Sequence, residues 1–293
     1  MVEYLNTSEI HFNHDVADRN SLDEASEEGS DDSTEEYSPY SVEDLAAILT
    51  DFYKFLANLH YDPADLKLPP PERWNLDILP KAIVENKSED VVELMRRVPY
   101  FKENEKSTHV HYKSKLVDYT NGEQHGIAEN EDELVKDLCE VWCSKGGIVD
   151  HQRLLVIAGG YESGGRTLIL DVLHGEITEE IIRHITCPAV DIKEFFEKVE
   201  EEYRSLQLIP CPGRETQEAH RVPERAEEIS EEEVKAQTGE WFGFTDLDWQ
   251  FVRQVYRRCG WPDAFRRQQA VELIGDFMAS NKDRTHEWEP AFR

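Results

Sequence analysis

The sequence predicts an α+β fold in which helices pack on a small, mainly antiparallel sheet. Three observations support this prediction. Apolar residues recur at helical spacing in several segments, two short apolar runs flank a glycine-rich break, and an acidic N-terminal stretch has few apolar side chains. We therefore expect an acidic disordered arm over residues 1–40, one domain over residues 41–280 that ends in a helical hairpin, and a tail over residues 281–293.

The net charge is the most unusual bulk property of the chain. It is −30 over 293 residues, although 39% of the residues are hydrophobic and can form a core. Between Asp15 and Asp44, twelve acidic residues stand against Arg19 alone, so this stretch carries −11 and the rest of the chain −19. A field of this sign repels phosphate backbones and anionic lipid, so we expect neither nucleic-acid nor membrane binding. It would attract a basic protein partner, although solubility alone also accounts for such a charge.

The cysteine content and the hydropathy pattern indicate a cytoplasmic or nuclear protein. The cysteines are few and odd in number, which is not the pattern of a disulfide framework. The first 20 residues contain no signal-peptide core, and no run of 18 apolar residues could span a membrane. The five cysteines are Cys139, Cys143, Cys187, Cys211 and Cys259.

The helices are predicted from apolar spacing and from capping signals. Ser41 followed by Asp44 is a capping box, and it opens the clearest helix, over residues 41–60. Thr245 and Asp248 repeat this pattern at the start of the C-terminal hairpin, over residues 245–278. Further helices are expected over residues 76–86, 88–98, 129–144, 178–185 and 191–206.

The remaining segments are predicted as strands or connections. Strands are expected over residues 110–112 and 116–119, and the Pro- and Glu-rich residues 211–240 read as a surface excursion or linker. The prolines between Leu66 and Trp74 make a stiff extended connection. Such a run could be a ligand for a partner, but the favoured interpretation is that its apolar residues, Leu66, Leu68 and Trp74, pack on the core.

The glycine-rich break, 159–165, has two possible structures. A P-loop needs Gly-x4-Gly-Lys-Ser/Thr between a strand and a helix, and the chain fits this pattern with arginine in place of lysine. The same residues also suit a β-hairpin, whose loop uses the conformational freedom of glycine. If the segment were a P-loop, the cofactor-binding residues would be Gly160, Gly165, Arg166 and Thr167.

The residues around the break favour the hairpin. Arginine is a poor substitute for the compact charge of the P-loop lysine, and Glu162 would place a negative charge beside the phosphates. The following run, 167–173, is dense in β-branched and leucine residues and is too short for a P-loop helix. We therefore expect a buried hairpin and predict no cofactor.

Two other groups could carry chemistry. His109 and His111 would point the same way on a strand, as a pair of metal ligands would, but no third ligand is evident and we predict no metal site. Cys139 and Cys143 lie four residues apart on a predicted helix, where small buried hydrophobes fit better than a redox pair. We predict no catalytic residue.

The segment over residues 74–206 resembles the SUKH superfamily, whose fungal members are linked to cell-wall assembly. The resemblance rests on Leu155-Val156-Ile157-Ala158, Gly164-Gly165, Leu168-Ile169-Leu170-Asp171, Gly175-Glu176-Ile177 and the later Asp191-Ile192-Lys193-Glu194-Phe195-Phe196. It implies an α+β domain whose concave face binds other proteins, with no catalytic residues. The residues around Trp74, Val98-Pro99-Tyr100 and Gly260-Trp261-Pro262 are also similar to uncharacterised filamentous-fungal proteins, which implies a lineage and no activity.

The function expected from the sequence is therefore that of a non-enzymatic protein-interaction module of the SUKH-like type. Its charge points to a basic partner. The alternative is an enzyme, either a degenerate P-loop nucleotide binder or an accessory enzyme of fungal metabolism.

Overall fold

A computed structural model describes residues 38–59, 63–102, 108–121, 142–143, 147–148, 150–183, 185–211, 215–237 and 244–280. The predicted acidic arm, up to residue 37, and the predicted tail lie outside these residues. The described part has seven α-helices, one six-stranded sheet and three two-stranded ribbons, all antiparallel, which confirms the α+β class.

Helices lie towards both ends of the described part, and most of the strands lie between them. The α-helices of the described part are α1 (Val42–Leu59), α2 (Lys81–Glu85), α3 (Glu89–Arg97), α4 (Ile192–Arg204), α5 (Glu231–Lys235), α6 (Asp246–Arg258) and α7 (Arg267–Ser280). The strands are β1 (Leu66–Lys67), β2 (Tyr100–Phe101), β3 (His109–His111), β4 (Ser114–Leu116), β5 (Trp142–Cys143), β6 (Gly147–Ile148), β7 (Leu154–Gly160), β8 (Arg166–Asp171), β9 (Glu176–Ile181), β10 (Val190–Asp191), β11 (Leu208–Cys211) and β12 (Glu215–Glu218). None of the described helices is long and apolar enough to cross a membrane.

The central sheet has the strand order β10-β9-β8-β7-β4-β3. Its middle is formed by β7 and β8, which pair directly as an antiparallel hairpin. Successive residues of a strand face opposite sides of the sheet, so Leu168 and Leu170 enter the main core while Ile169 joins a small cluster on the other face. The apolar runs on both sides of the glycines are thus buried on both faces, as a central hairpin requires.

Helices α1 and α4 cover the main face of the sheet. The rings of Phe52 and Phe196 stack with their centroids 4.3 Å apart and join the two helices. The predicted capping box is confirmed, because the Ser41 hydroxyl accepts from the Asp44 amide and the Asp44 carboxylate accepts from the Ser41 amide. Asp191 caps α4 by accepting from the amides of Lys193 and Glu194.

The C-terminal helices α6 and α7 form the predicted hairpin, and side chains of this region bind the end of α4. Thr245 and Asp248 make the second predicted capping box. The buried Arg253 donates from Nε to the Leu206 carbonyl, 2.9 Å away, and the Trp261 indole donates to the Tyr203 carbonyl at 3.0 Å. The last carbonyls of a helix have no partner within it. Arg253 supplies a donor to the Leu206 carbonyl just beyond α4, and Trp261 adds a second donor to the Tyr203 carbonyl, which also accepts from the Leu206 amide.

Two segments predicted as helices contain strands instead. Residues 178–185 were expected to be helical, but the first half of this segment, 178–181, lies in β9, which pairs with β8 over six residues. A short run of mixed apolar and acidic residues matches both periods, and pairing with β8 decides between them. In the predicted helix over residues 129–144, Trp142 and Cys143 form β5, while residues 129–141 lie outside the described part.

The structure also shows how the proline-rich connection packs and which elements the predicted linker contains. Leu66 and Trp74 pack on the core as expected, but Leu68 is 57% exposed, so that part of the prediction is wrong. Residues 211–240, expected to be an excursion or linker, contain β12 and α5. Between them the Gln254 side chain of α6 donates to the Glu227 carbonyl and accepts from the Ile229 amide, at 2.7 and 2.9 Å.

Candidate functional site

The glycine-rich loop is the turn of the β7–β8 hairpin. The strand β8 begins at Arg166, so no helix follows the glycines and the P-loop alternative is wrong. A phosphate site of that kind needs free loop amides at a helix N-terminus. Here the Gly160 amide donates to Thr167 Oγ1, the Gly164 amide to the Ile182 carbonyl and the Gly165 amide to the Glu162 carbonyl. The amides of Gly160, Gly164 and Gly165 are therefore used inside the fold.

The side chain of Arg166 pairs with carboxylates of the fold, which gives it a structural role and not that of a phosphate ligand. Its guanidinium donates to the carboxylates of Glu179 on β9 and Glu218 on β12. Burial opposes the arginine charge, but these two carboxylates hold the pKa of Arg166 above its usual range. The residue thus ties the β11–β12 ribbon to the central sheet, and its charge is not available to an anion.

The two histidines of β3 are buried, and each has its own partners. Nδ1 of His109 accepts from the Thr216 amide at 3.3 Å, so the ring proton lies on Nε2, which is 3.2 Å from the Tyr161 hydroxyl. The register with β4 is irregular between the two histidines. Nε2 of His111 lies 3.7 Å from the Glu202 carboxylate instead.

The described residues contain no group of three histidine, cysteine, aspartate or glutamate side chains that could hold a metal ion. Cys187 and Cys259 are free thiols, and burial raises the pKa of Cys187 above its usual range. Cys143 lies on the strand β5 and not on the predicted helix, while Cys139 lies outside the described residues.

His109 makes the stability of the fold pH-dependent. Burial, aided by the nearby Lys115 ammonium, lowers the pKa of His109 from 6.5 to about 3. Between these values the unfolded chain binds a proton that the folded chain does not, so acidification destabilises the fold. We expect His109 to account for a loss of about 2 kcal/mol between about pH 7 and 5, measured by urea unfolding.

The variant His109→Asn keeps an acceptor for the Thr216 amide but cannot titrate, so it should lack this fall in stability. Glu200, whose pKa is raised, acts in the opposite direction and affects all variants alike. Carboxyls whose pKa is lowered, such as that of Glu202, lose their contribution only at lower pH and do not interfere. Tyr161→Phe is the control, because it removes the phenol and keeps the imidazole, and it should retain the slope. An unchanged slope in His109→Asn would contradict the assignment.

The helices α1 and α4 carry a group of carboxylates that sequence reasoning did not single out. We call this group the acidic face. It consists of Asp44 and Asp51 on α1, Asp191 at the start of α4, and Glu197 and Glu200 on α4. The side chain of Asp51 is 81% exposed. Spacing along α4 could have shown that Glu197 and Glu200 share a side, but the approach of Asp51 depends on the packing of α1.

The carboxylates of the acidic face repel one another. Burial raises the pKa of Glu200, and the charges of Glu197 and Asp51 raise it further against the opposing effect of Arg204. Tyr40 lies at the other end of this face and donates to the Asp191 carboxylate at 2.7 Å. That bond, with burial and the nearby acidic groups, raises the pKa of Tyr40 to about 12. Repulsion within the face thus acts at Glu200, whereas Asp191, despite its burial, and Asp44 have lowered pKa values because they accept hydrogen bonds from Tyr40 and Ser41.

A small polar pocket lies along α6. Its volume is about 60 Å³, whereas pockets for drug-sized ligands measure some 300 Å³ or more. Its lining side chains already bind the backbone of the 219–229 segment or form ion pairs, so the pocket belongs to the packing of α6. The lining residues are Glu224, Arg225, Gln250, Arg253, Gln254 and Arg257.

Comparisons of the chain with protein-family models, with curated proteins and with solved structures find no significant match.

Proposed function

We propose that this chain is a non-enzymatic protein-interaction module whose acidic face binds a basic surface of a partner protein. The observation that carries the proposal is the approach of carboxylates from two different helices. Burial, and then the charges of Glu197 and Asp51, raise the pKa of Glu200 although Arg204 lies beside it. Lysine or arginine side chains of a partner would relieve this repulsion on binding. Complementary charge of this kind speeds association, and the attraction weakens as salt is added.

The distribution of charge along the chain supports the same surface. Asp44, the last residue of the acidic stretch that starts at Asp15, lies in the first turn of α1 and belongs to the acidic face. The face is therefore continuous in sequence with the most acidic part of the chain. A basic partner would meet negative charge on the acidic face and on the acidic stretch, which increases the association rate.

The resemblance to the SUKH superfamily implies binding of other proteins, in agreement with this proposal. The segments that carry the resemblance are the β7–β8 hairpin and the helix that begins after Asp191. The engaged glycine amides and the paired Arg166 guanidinium weigh against the alternative of a nucleotide enzyme. The few free cysteines fit a cytoplasmic or nuclear location, which is part of the proposal.

The acidic face can be tested with a labelled model peptide of alternating lysine and serine as the basic probe. One full-length variant neutralises the face with Asp51→Asn, Glu197→Gln and Glu200→Gln. A matched control neutralises three exposed acidic residues elsewhere with Glu85→Gln, Glu232→Gln and Asp263→Asn. Affinity is measured by fluorescence anisotropy at low and at high salt.

The face variant should bind about tenfold more weakly, because three surface ion pairs together contribute about 1.4 kcal/mol. The control has the same net charge and should bind nearly as the natural chain does. Equal losses in the two variants would mean that overall charge, and not the acidic face, attracts the probe. Affinity that does not fall with salt would also overturn the proposal.

A further inference from the structure

The connection between β1 and Trp74 exposes an apolar segment, Leu68–Pro71, which we call the proline segment. Leu68 is 57% exposed and Pro71 is exposed as well, while Pro69 and Pro70 between them are half-buried. Core packing therefore does not explain why an aliphatic residue precedes three prolines here. An exposed apolar segment of this kind needs a reason in recognition or in chain geometry.

The conformation of the proline segment follows from its sequence. Leu68, Pro69 and Pro70 each precede a proline, and the ring of the next residue restricts such positions to extended backbone. The proline rings themselves fix φ near −65°, so Leu68, Pro69 and Pro70 form about one turn of polyproline II helix. A tight turn ends it, because the Arg73 amide donates to the Pro70 carbonyl at 2.8 Å.

Both ends of the proline segment are attached to the domain. Before it, the Lys67 ammonium donates to the Asp118 carboxylate and, at 2.8 Å, to the Thr120 hydroxyl. After it, the Trp74 indole donates to the Val98 carbonyl at 2.9 Å. The segment is thus held in one conformation before any partner arrives, and a preorganised ligand loses little entropy on binding.

We infer that the proline segment is a docking ligand for a partner domain that reads polyproline II helices in an aromatic-lined groove. Such grooves pack tyrosine and tryptophan rings against successive proline rings and an adjoining aliphatic side chain. The segment offers these groups, Leu68 with Pro69 and Pro70, in the conformation that the groove binds. The inference is independent of the acidic face, since it depends on apolar contact and not on charge.

The test uses immobilised SH3, WW and EVH1 domains as probes and the full-length chain as the analyte. Leu68→Ser removes the aliphatic group, and Ile185→Ser is the matched control, because Ile185 is 62% exposed on the loop after β9. At least one class of probe should bind the natural chain, and Leu68→Ser should weaken that binding about tenfold. Ile185→Ser should leave it unchanged, and thermal unfolding should show both variants to be as stable as the natural chain.

Failure of all three classes to bind the natural chain would overturn the inference, as would equal weakening by both substitutions. Binding should persist at high salt and in the variant whose acidic face is neutralised. Binding that disappears under either condition would belong to the acidic face and not to the proline segment. The two proposals can therefore fail separately.

Discussion

Arg253→Met is expected to lower the free energy of unfolding by about 4 kcal/mol, because it removes three hydrogen bonds from a buried charged group to backbone carbonyls. The guanidinium of Arg253 donates to the carbonyls of Leu206, Ala219 and Val222, at 2.9, 2.6 and 2.5 Å, and the residue is only 4% exposed. Methionine fills the space of the aliphatic stem but donates nothing. Urea unfolding measures the loss, with the slope of the transition checked for two-state behaviour.

Arg258→Met is the control for this substitution. Arg258 lies on the same helix, its side chain is 52% exposed, and it pairs with Glu228 at 3.4 Å. An exposed ion pair contributes little, so the change should stay within about 0.5 kcal/mol. Comparable losses in the two variants would show that helix charge, and not the three carbonyl bonds, determines the effect of Arg253.

The regular features of the fold could be predicted from the sequence because their signals are local. Capping boxes at Ser41 and Thr245 and apolar periodicity identify α1 and α6, and the glycine break between two apolar runs identifies the hairpin. The helix predicted over residues 178–185 was wrong because this short pattern suits both periods, and only pairing with β8 makes its first half a strand. Local signals therefore predict elements, while short segments need their neighbours.

The candidate sites depend on contacts that are distant in sequence. The carbonyls that Arg253 binds lie 47, 34 and 31 residues before it, so nothing near Arg253 in the sequence distinguishes it from an exposed helix arginine. The acidic face likewise needs Asp51 of α1 to lie near Glu200 of α4, which the stacking of Phe52 on Phe196 brings about. These sites are consequences of helix packing and become visible only with the tertiary structure.

Gly165→Ala is expected to lower the free energy of unfolding by about 3 kcal/mol, because a methyl group cannot be placed there without moving backbone. A Cβ at Gly165 would lie 2.2 Å from the Tyr161 carbonyl oxygen and 2.6 Å from the Tyr161 nitrogen. The loop cannot open easily to relieve this contact, since the Gly165 carbonyl also accepts from the Ile182 amide at 2.9 Å. Chemical denaturation measures the loss.

Gly159→Ala provides the matched control, because a Cβ at Gly159 meets no atom within 4 Å. Alanine suits strand backbone at least as well as glycine, so this variant should be as stable as the natural chain or gain about 0.5 kcal/mol. The natural chain should also show the same thermal midpoint with and without magnesium and ATP, since the loop amides are bonded within the hairpin. A rise with nucleotide, or equal losses from the two alanine substitutions, would mean that this segment is not the tight hairpin turn described above.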